Sequence, residues 1–324
     1  MRTALSSLCV LLVASAAAEP VRNGFDLAGA SVAVAEIQAG GPPRDGIPAL
    51  DSPDFAPVPE VDWSPEVLVL GFAWKEEARA YPVPLLDWHE LVNDRVGGRP
   101  VLVSWCPLCG TGMVFDRRVP RDGSERHFGV SGLLYRSDVL MYDRETESLW
   151  SQIRSEAVTG PSGGQRLTLL RSKMESLGAW HRRYPHTTVL TRRTGFRRDY
   201  DRSPYAGYAT SRKLLFGPPA DDRYHPKMPT VGLRLPGGDQ RAYPASELAA
   251  VGGRVEEKLG ALSVRVGYDE ALQVFEVDAP PEVEVVEGYW FAWVAFHPET
   301  SIYQAPSVPE SNAGGPSGSS PSED

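Results

Sequence analysis

Cys106 and Cys109, within Ser104-Trp105-Cys106-Pro107-Leu108-Cys109-Gly110-Thr111, are two of only three cysteines in a chain of 324 residues. A lone C-x-x-C serves either as a two-electron dithiol/disulfide couple or as a pair of thiolate metal ligands. Its surroundings favour metal. Val101 to Trp105 reads as an apolar strand entering and Met113-Val114-Phe115 as one leaving, with Gly110-Thr111-Gly112 between them, so the pair is expected in a β-turn.

In thioredoxin-like proteins W-C-x-x-C caps a helix whose dipole lowers the first thiol's pKa, but two glycines within three residues oppose a helix here. C-P-x-C-G matches the knuckle of rubredoxins and zinc ribbons. There proline fixes φ after the first thiolate, and glycine takes the positive φ that turns backbone N–H groups toward sulfur. One knuckle gives two ligands and a closed tetrahedral site needs four; no second C-x-x-C exists.

The remaining donors must come from elsewhere. Asp87-Trp88-His89-Glu90 reads as the opening of a helix, with Leu85, Trp88 and Val92 on one face and Asp87 with Glu90 as a capping box, which gives Glu90 a structural role. In a first turn the helix's positive end disfavours imidazolium, so His89 is expected to be neutral, the form a metal needs; the plainer alternative is a buried histidine bonded to a carbonyl. Met113 and Met141 are either core residues or thioether donors to a soft metal. His297 is either a helix C-terminal residue favoured by the dipole or a ligand reaching across from another part of the fold.

Beyond these, Val139 to Tyr142 reads as a strand and Asp143-Arg144-Glu145-Thr146 as a turn. Ser148, Trp150 and Gln152 then alternate on one face of the next strand as a polar ladder. Gly195 to Tyr200, with Tyr205 and Tyr208, is expected to be a solvated aromatic and basic loop. The sequence contains no Gly-rich phosphate loop, G-x-S-x-G or H-E-x-x-H.

Arg2, the apolar run from Leu8 to Ala14 and Ala16-Ala17-Ala18 predict a signal peptide over residues 1–18, which would remove Cys9. Loss of Arg2 moves the formal charge from −9 to −10, a surface that argues against nucleic acid and anionic lipid. No stretch is long enough to span a membrane. Hydrophobic content of 42% supports a core, and 29 prolines with 31 glycines imply many turns between short elements.

A weak internal repeat organises the rest. Leu70-Gly71-Phe72, Ala78-Arg79-Ala80-Tyr81-Pro82 and Leu86 recur as Val231-Gly232-Leu233, Gln240-Arg241-Ala242-Tyr243-Pro244 and Leu248, offset by 162 residues at the tyrosines. Each copy reads as hairpin, short helix, hairpin. In the second copy Gly267 to Ala271 replaces the cysteine loop and the position of His89 falls near Val251, so the scaffold itself requires neither the cysteines nor the histidine. Trp180 to Leu190 is echoed by Trp293 to Tyr303, each a helix ending at proline and then an extended segment. The expected fold is α+β, mainly β, with two similar β-rich lobes, short helices and long ordered loops. The boundaries are an N-terminal ordered loop segment over 19–56, a first lobe with the cysteine site over 57–225, a second lobe over 226–304 and a disordered tail over 305–324.

The segments closely resemble a family of exported prokaryotic proteins known as domain of unknown function 3179. The resemblance runs from about residue 30 to about residue 300 and rests on GGPPRDGIPALD (Gly40 to Asp51), WHELVND (Trp88 to Asp94), SWCPLCGTGMVFDRR (Ser104 to Arg118), FGVSGLLYRSDVLMYDRETESLWSQ (Phe128 to Gln152) and TGFRRDY (Thr194 to Tyr200). It implies no activity. The residues predict an exported, soluble protein, periplasmic or extracellular, holding one copper or zinc ion through Cys106, Cys109 and His89, with a weak or exchangeable fourth position. The methionines and the exported setting lean toward copper. Two alternatives stand beside this: an extracytoplasmic thiol-disulfide oxidoreductase, and a non-catalytic binding module stapled by a disulfide. The partner would be a small molecule or another protein.

Overall fold

The computed structural model describes residues 20–217 and 221–306. The predicted signal peptide and nearly all of the predicted tail lie outside them. Strands make up 40% and helices 11%, as a mainly β chain requires. Five sheets of three to five strands are arranged like the blades of a five-bladed propeller, and not as two lobes.

Blade one joins Ile37–Ala39, Phe128–Tyr135, Asp138–Asp143, Leu149–Ser151 and Glu156–Ala157. Blade two joins Phe55–Pro57, Leu68–Trp74, Glu77–Pro82, Lys173–Ser176 and Thr188–Leu190. Blade three holds Leu91–Val96, Arg99–Cys106, Thr111–Asp116 and Leu169–Leu170; blade four holds Pro229–Arg234, Gln240–Pro244, Glu284–Tyr289 and Ser301–Ile302. Blade five is the meander Arg254–Leu259, Leu262–Asp269 and Val274–Asp278. The short helices are α1 (Val83–His89), α2 (Leu177–Arg183), α3 (Ala245–Ala249) and α4 (Trp290–Phe296). No helix among the described residues is long and apolar enough to cross a membrane.

The repeat is visible as two matching pairs of sheets, blades two and three against blades four and five. Tyr81 donates to Asp94 at 2.6 Å and Tyr243 to Glu257 at 2.8 Å, each tying a helix-bearing hairpin to the meander that follows. Trp180 of α2 lies on Gly71, and Trp293 of α4 lies on Gly232; a Cβ on either glycine would sit 2.4 or 2.2 Å from the indole. The two echoes in the sequence are therefore parts of one repeat. The offset between copies falls from 162 at the tyrosines to 113 at the tryptophans, and the 49 extra residues of the first copy fall in the stretch that contains most of blade one.

A continuous core explains why the copies do not separate. The largest buried cluster takes Leu102 and Phe115 from the first copy, Phe128 and Trp150 from blade one, and Val286, Trp290 and Trp293 from the second copy. Burying apolar surface contributes about 25 cal/mol per Å², so dividing this cluster between two lobes would expose large side chains at each face. The strands of blade one, Phe128–Tyr135 and Asp138–Asp143, are buried along their whole length, while Arg254–Leu259 of blade five alternates exposed and half-buried residues, as its Glu-Glu-Lys sequence dictates.

One acid in this framework sets a pH dependence. Glu287 faces a cleft with Lys173, Trp180 and Glu276. Burial pushes its carboxyl up to about 7, against Lys173 and with Glu276 and Glu175 adding to the rise. The folded chain thus keeps a proton that the unfolded chain, with an ordinary value of 4.5, has lost; stability is fully present below that value and lost as pH rises through about 7. Glu287→Gln is expected to melt higher than the parent at pH 8 and level with it at pH 4. A shift of equal size at both pH values in thermal melts would contradict this.

Candidate metal centre

The cysteines lie where the sequence places them. Arg99–Cys106 and Thr111–Asp116 pair with Cys106 opposite Thr111, and the Cys109 N–H donates to the Cys106 carbonyl at 3.1 Å to close the turn. Gly110 has φ +60°, the conformation a knuckle requires, and a Cβ there would also lie 2.8 Å from the Tyr289 ring. The Tyr289 N–H donates to the Cys109 carbonyl at 2.8 Å, so blade four holds the turn from outside. Both thiols are free and buried.

Asp138 completes the group. The hairpin between Phe128–Tyr135 and Asp138–Asp143 turns over two residues, Arg136 at φ +52° and Ser137 at φ +70°, positions that favour glycine or asparagine. Two left-handed residues of other types in succession are strained, and strain of this kind gathers at functional sites. The turn aims the Ser137 carbonyl at the thiols, 3.4 Å from Cys109 Sγ and 3.8 Å from Cys106 Sγ. Asp138 Oδ2 accepts from the Ile153 N–H at 3.0 Å and the Ser151 hydroxyl at 3.3 Å, while Oδ1 lies 3.9 Å from Cys109 Sγ. One ligand atom from each of Cys106, Cys109 and Asp138 lies within 4.8 Å of the others.

This is a basin of acids. Burial pushes the Asp138 carboxyl up to about 7 against the hydrogen bonds it accepts. The Cys109 thiol is raised well above its usual range by burial, with Cys106 and Asp138 adding to it. Glu90 is pushed up to about 8 by burial, with Asp87 and Asp138 adding to it, and burial also raises Asp87 against bonds from Ser203 and Trp105. Among the described residues none of these acids is in an ion pair with a lysine, arginine or histidine. Three tyrosines respond to these acids: Tyr289 is pushed up to about 12 by burial beside Asp87 and the two cysteines, Tyr205 is raised by burial with Glu90, Cys106 and Asp87 adding to it, and Tyr208 by burial with Cys109 and Cys106. The stretch from Gly195 to Tyr208, expected as a solvated loop, is instead in part a strap whose Tyr200 and Tyr208 are buried.

The two predicted histidine donors are outside this group. α1 runs from Val83 to His89, so His89 ends the helix and does not begin it, and there is no capping box; Pro84 in the first turn marks the true start. His89 is fully buried, with Nδ1 2.8 Å from the Pro48 carbonyl and Nε2 2.8 Å from the Tyr200 hydroxyl, and burial lowers its pKa. Both nitrogens are spent, and it is not in the Cys106, Cys109 and Asp138 group. His297 caps α4 with its ring tilted against Trp293, centroids 4.0 Å apart, as Tyr184 is tilted against Trp180 at 4.4 Å in the first copy. Burial, with Arg234, Arg154 and Arg166, lowers it to about 3, so it carries no charge for a helix dipole to favour. Met113 and Met141 are buried in the same core cluster as the cysteines. Asp143 accepts from Thr146 and Trp150, and Thr146 bonds Ser148, but the third member of the expected polar ladder, Gln152, instead donates to Ser104 Oγ at 2.9 Å and the Thr111 carbonyl at 3.2 Å.

Sequence reasoning missed Asp138. Its signal was a single acid at the head of the apolar strand Val139 to Met141, immediately after a tight turn. A family model described as "Protein of unknown function (DUF3179)" matches residues 44–280. No curated protein and no solved structure matches the chain.

Proposed function

The chain belongs to the DUF3179 family, whose description carries no activity, and from the residues alone we propose that it is an exported metal-binding protein that holds one ion between Cys106, Cys109 and Asp138. The observation that supports this reading is a set of buried acids without a basic partner. Burying like charges together is costly, and a cation offsets that cost where no lysine or arginine does. Zinc fits the donors better than copper: two thiolates with a carboxylate make a mixed soft and hard set, which borderline zinc accepts and soft Cu(I) disfavours. The site also lies where the two copies of the repeat differ. The second copy has Gly267 to Ala271 at the hairpin, and Asp138 comes from the blade that interrupts the first. The basic, apolar and small-residue N-terminus supports export.

Protein purified under reducing conditions is expected to contain about one zinc per chain by elemental analysis. Ligands must lose protons to bind, and both the thiol and the Asp138 carboxyl are raised, so affinity should climb steeply from pH 6 to pH 8, with proton release in calorimetry. Free thiols that oxidise to a disulfide without ever retaining metal would favour the oxidoreductase reading, for which the two free, adjacent sulfurs are the supporting observation. A flat affinity across that pH range would remove thiolates from the ligand set.

A further inference from the structure

We propose that Glu90 supplies the fourth donor of the metal centre, an inference that rests on the reading of Cys106, Cys109 and Asp138 as ligands. Glu90 is 7% exposed, yet among the described residues nothing donates a hydrogen bond to its carboxylate. Its oxygens keep slight contact with solvent and are held by no protein donor, which leaves them available to a ligand. Its backbone is also unusual. At φ +57° it occupies the left-handed region as a glutamate, where a helix end ordinarily takes glycine or asparagine.

Backbone bonds pin the residue from both sides: its N–H donates to the Leu86 carbonyl at 2.7 Å, and its own carbonyl accepts from Trp105, the residue before Cys106, at 2.7 Å. The left-handed turn thus swings the chain from α1 directly beside the cysteine strand. Burial raises the Glu90 carboxyl, with the charges of Asp87 and Asp138 adding to the rise. Asp87 is already occupied, accepting from Trp105 Nε1 at 2.8 Å and Ser203 Oγ at 2.6 Å. Glu90 is the acid left over. Its oxygens lie outside the group of atoms within 4.8 Å of one another, so closing the shell requires the Glu90 side chain to swing toward the thiols when an ion binds. Two thiolates and two carboxylates give four donors, the number a closed tetrahedral zinc site takes.

Titration of the reduced full-length chain with Co(II), a spectroscopic stand-in for zinc, tests this. The wild type is expected to show thiolate-to-cobalt charge transfer and intense tetrahedral d–d bands. Glu90→Gln should keep the charge-transfer band, change the d–d bands and bind at least about tenfold more weakly, since even groups behind the ligands cost that much. Glu90→Asp, which keeps the charge, should fall between the two and carries the comparison if the glutamine variant does not fold. Wild-type affinity and bands in Glu90→Gln would overturn the role of Glu90 while leaving the other three ligands intact. Absence of charge transfer in the wild type would overturn the metal site itself.

Discussion

Replacing Cys106 and Cys109 together by serine is expected to take bound zinc from about one ion per chain to none and to abolish the rise in melting temperature that zinc gives the wild type. Serine keeps the volume but offers a neutral hydroxyl where the site needs a thiolate, and the remaining carboxylates cannot hold a borderline-soft ion against water. With free zinc at about a hundred times the dissociation constant, the wild type gains about 2.7 kcal/mol of stability by mass action, and the variant gains none. The comparison is made within each protein, with and without zinc, so any cost of placing hydroxyls in a buried turn cancels. Asp138→Asn is the intermediate case, with both thiolates present and affinity reduced. Unchanged zinc content in the double serine variant would sink the metal reading.

The cysteine turn was legible because its determinants are local: an apolar strand on each side, proline after the first thiol, and a glycine that the structure finds at φ +60°. The rest of the site was not, for two reasons. Asp138 lies 29 residues from Cys109, on a different sheet, and only the packing of blade one against blade three brings them together. In the sequence Asp87 resembles a helix start, which places Glu90 in a capping box. Pro84 in the first turn was the stronger signal, and moving the start back places His89 and Glu90 at the end, where their roles invert: the histidine becomes a bonded core residue and the glutamate a strained, unpartnered one. The repeat was legible at Tyr81 and Tyr243, but repetition of sequence does not say how copies pack. Two separate lobes would have needed each copy to close its own core, and Trp293 and Val286 of the second copy share one with Leu102 of the first.

Gly71→Ala and Gly232→Ala are each expected to destabilise the fold by about 3 kcal/mol, the upper part of the usual range for overpacking. The added carbon would sit 2.4 Å from the Trp180 ring in one case and 2.2 Å from the Trp293 ring in the other, well inside contact distance. Neither ring is free to retreat. Trp180 Nε1 donates to Thr187 Oγ1 at 2.9 Å and Trp293 Nε1 to Thr300 Oγ1 at 3.1 Å, and each indole has a second ring packed against it. Gly98→Ala is the control: at φ +77° with nothing within 4 Å of the new carbon, it costs only backbone strain, on the order of 1 kcal/mol. If the clash is the cause, Trp180→Leu in the Gly71→Ala background should cost far less than it does alone, a coupling of more than about 1 kcal/mol in a double-mutant cycle. Because the two glycines belong to different copies that share one core, both variants should lower the same single unfolding transition. Two separable transitions, one moved by each variant, would restore independent lobes, and additive costs for Gly71→Ala and Trp180→Leu would show that the indole is not what excludes a side chain at this position.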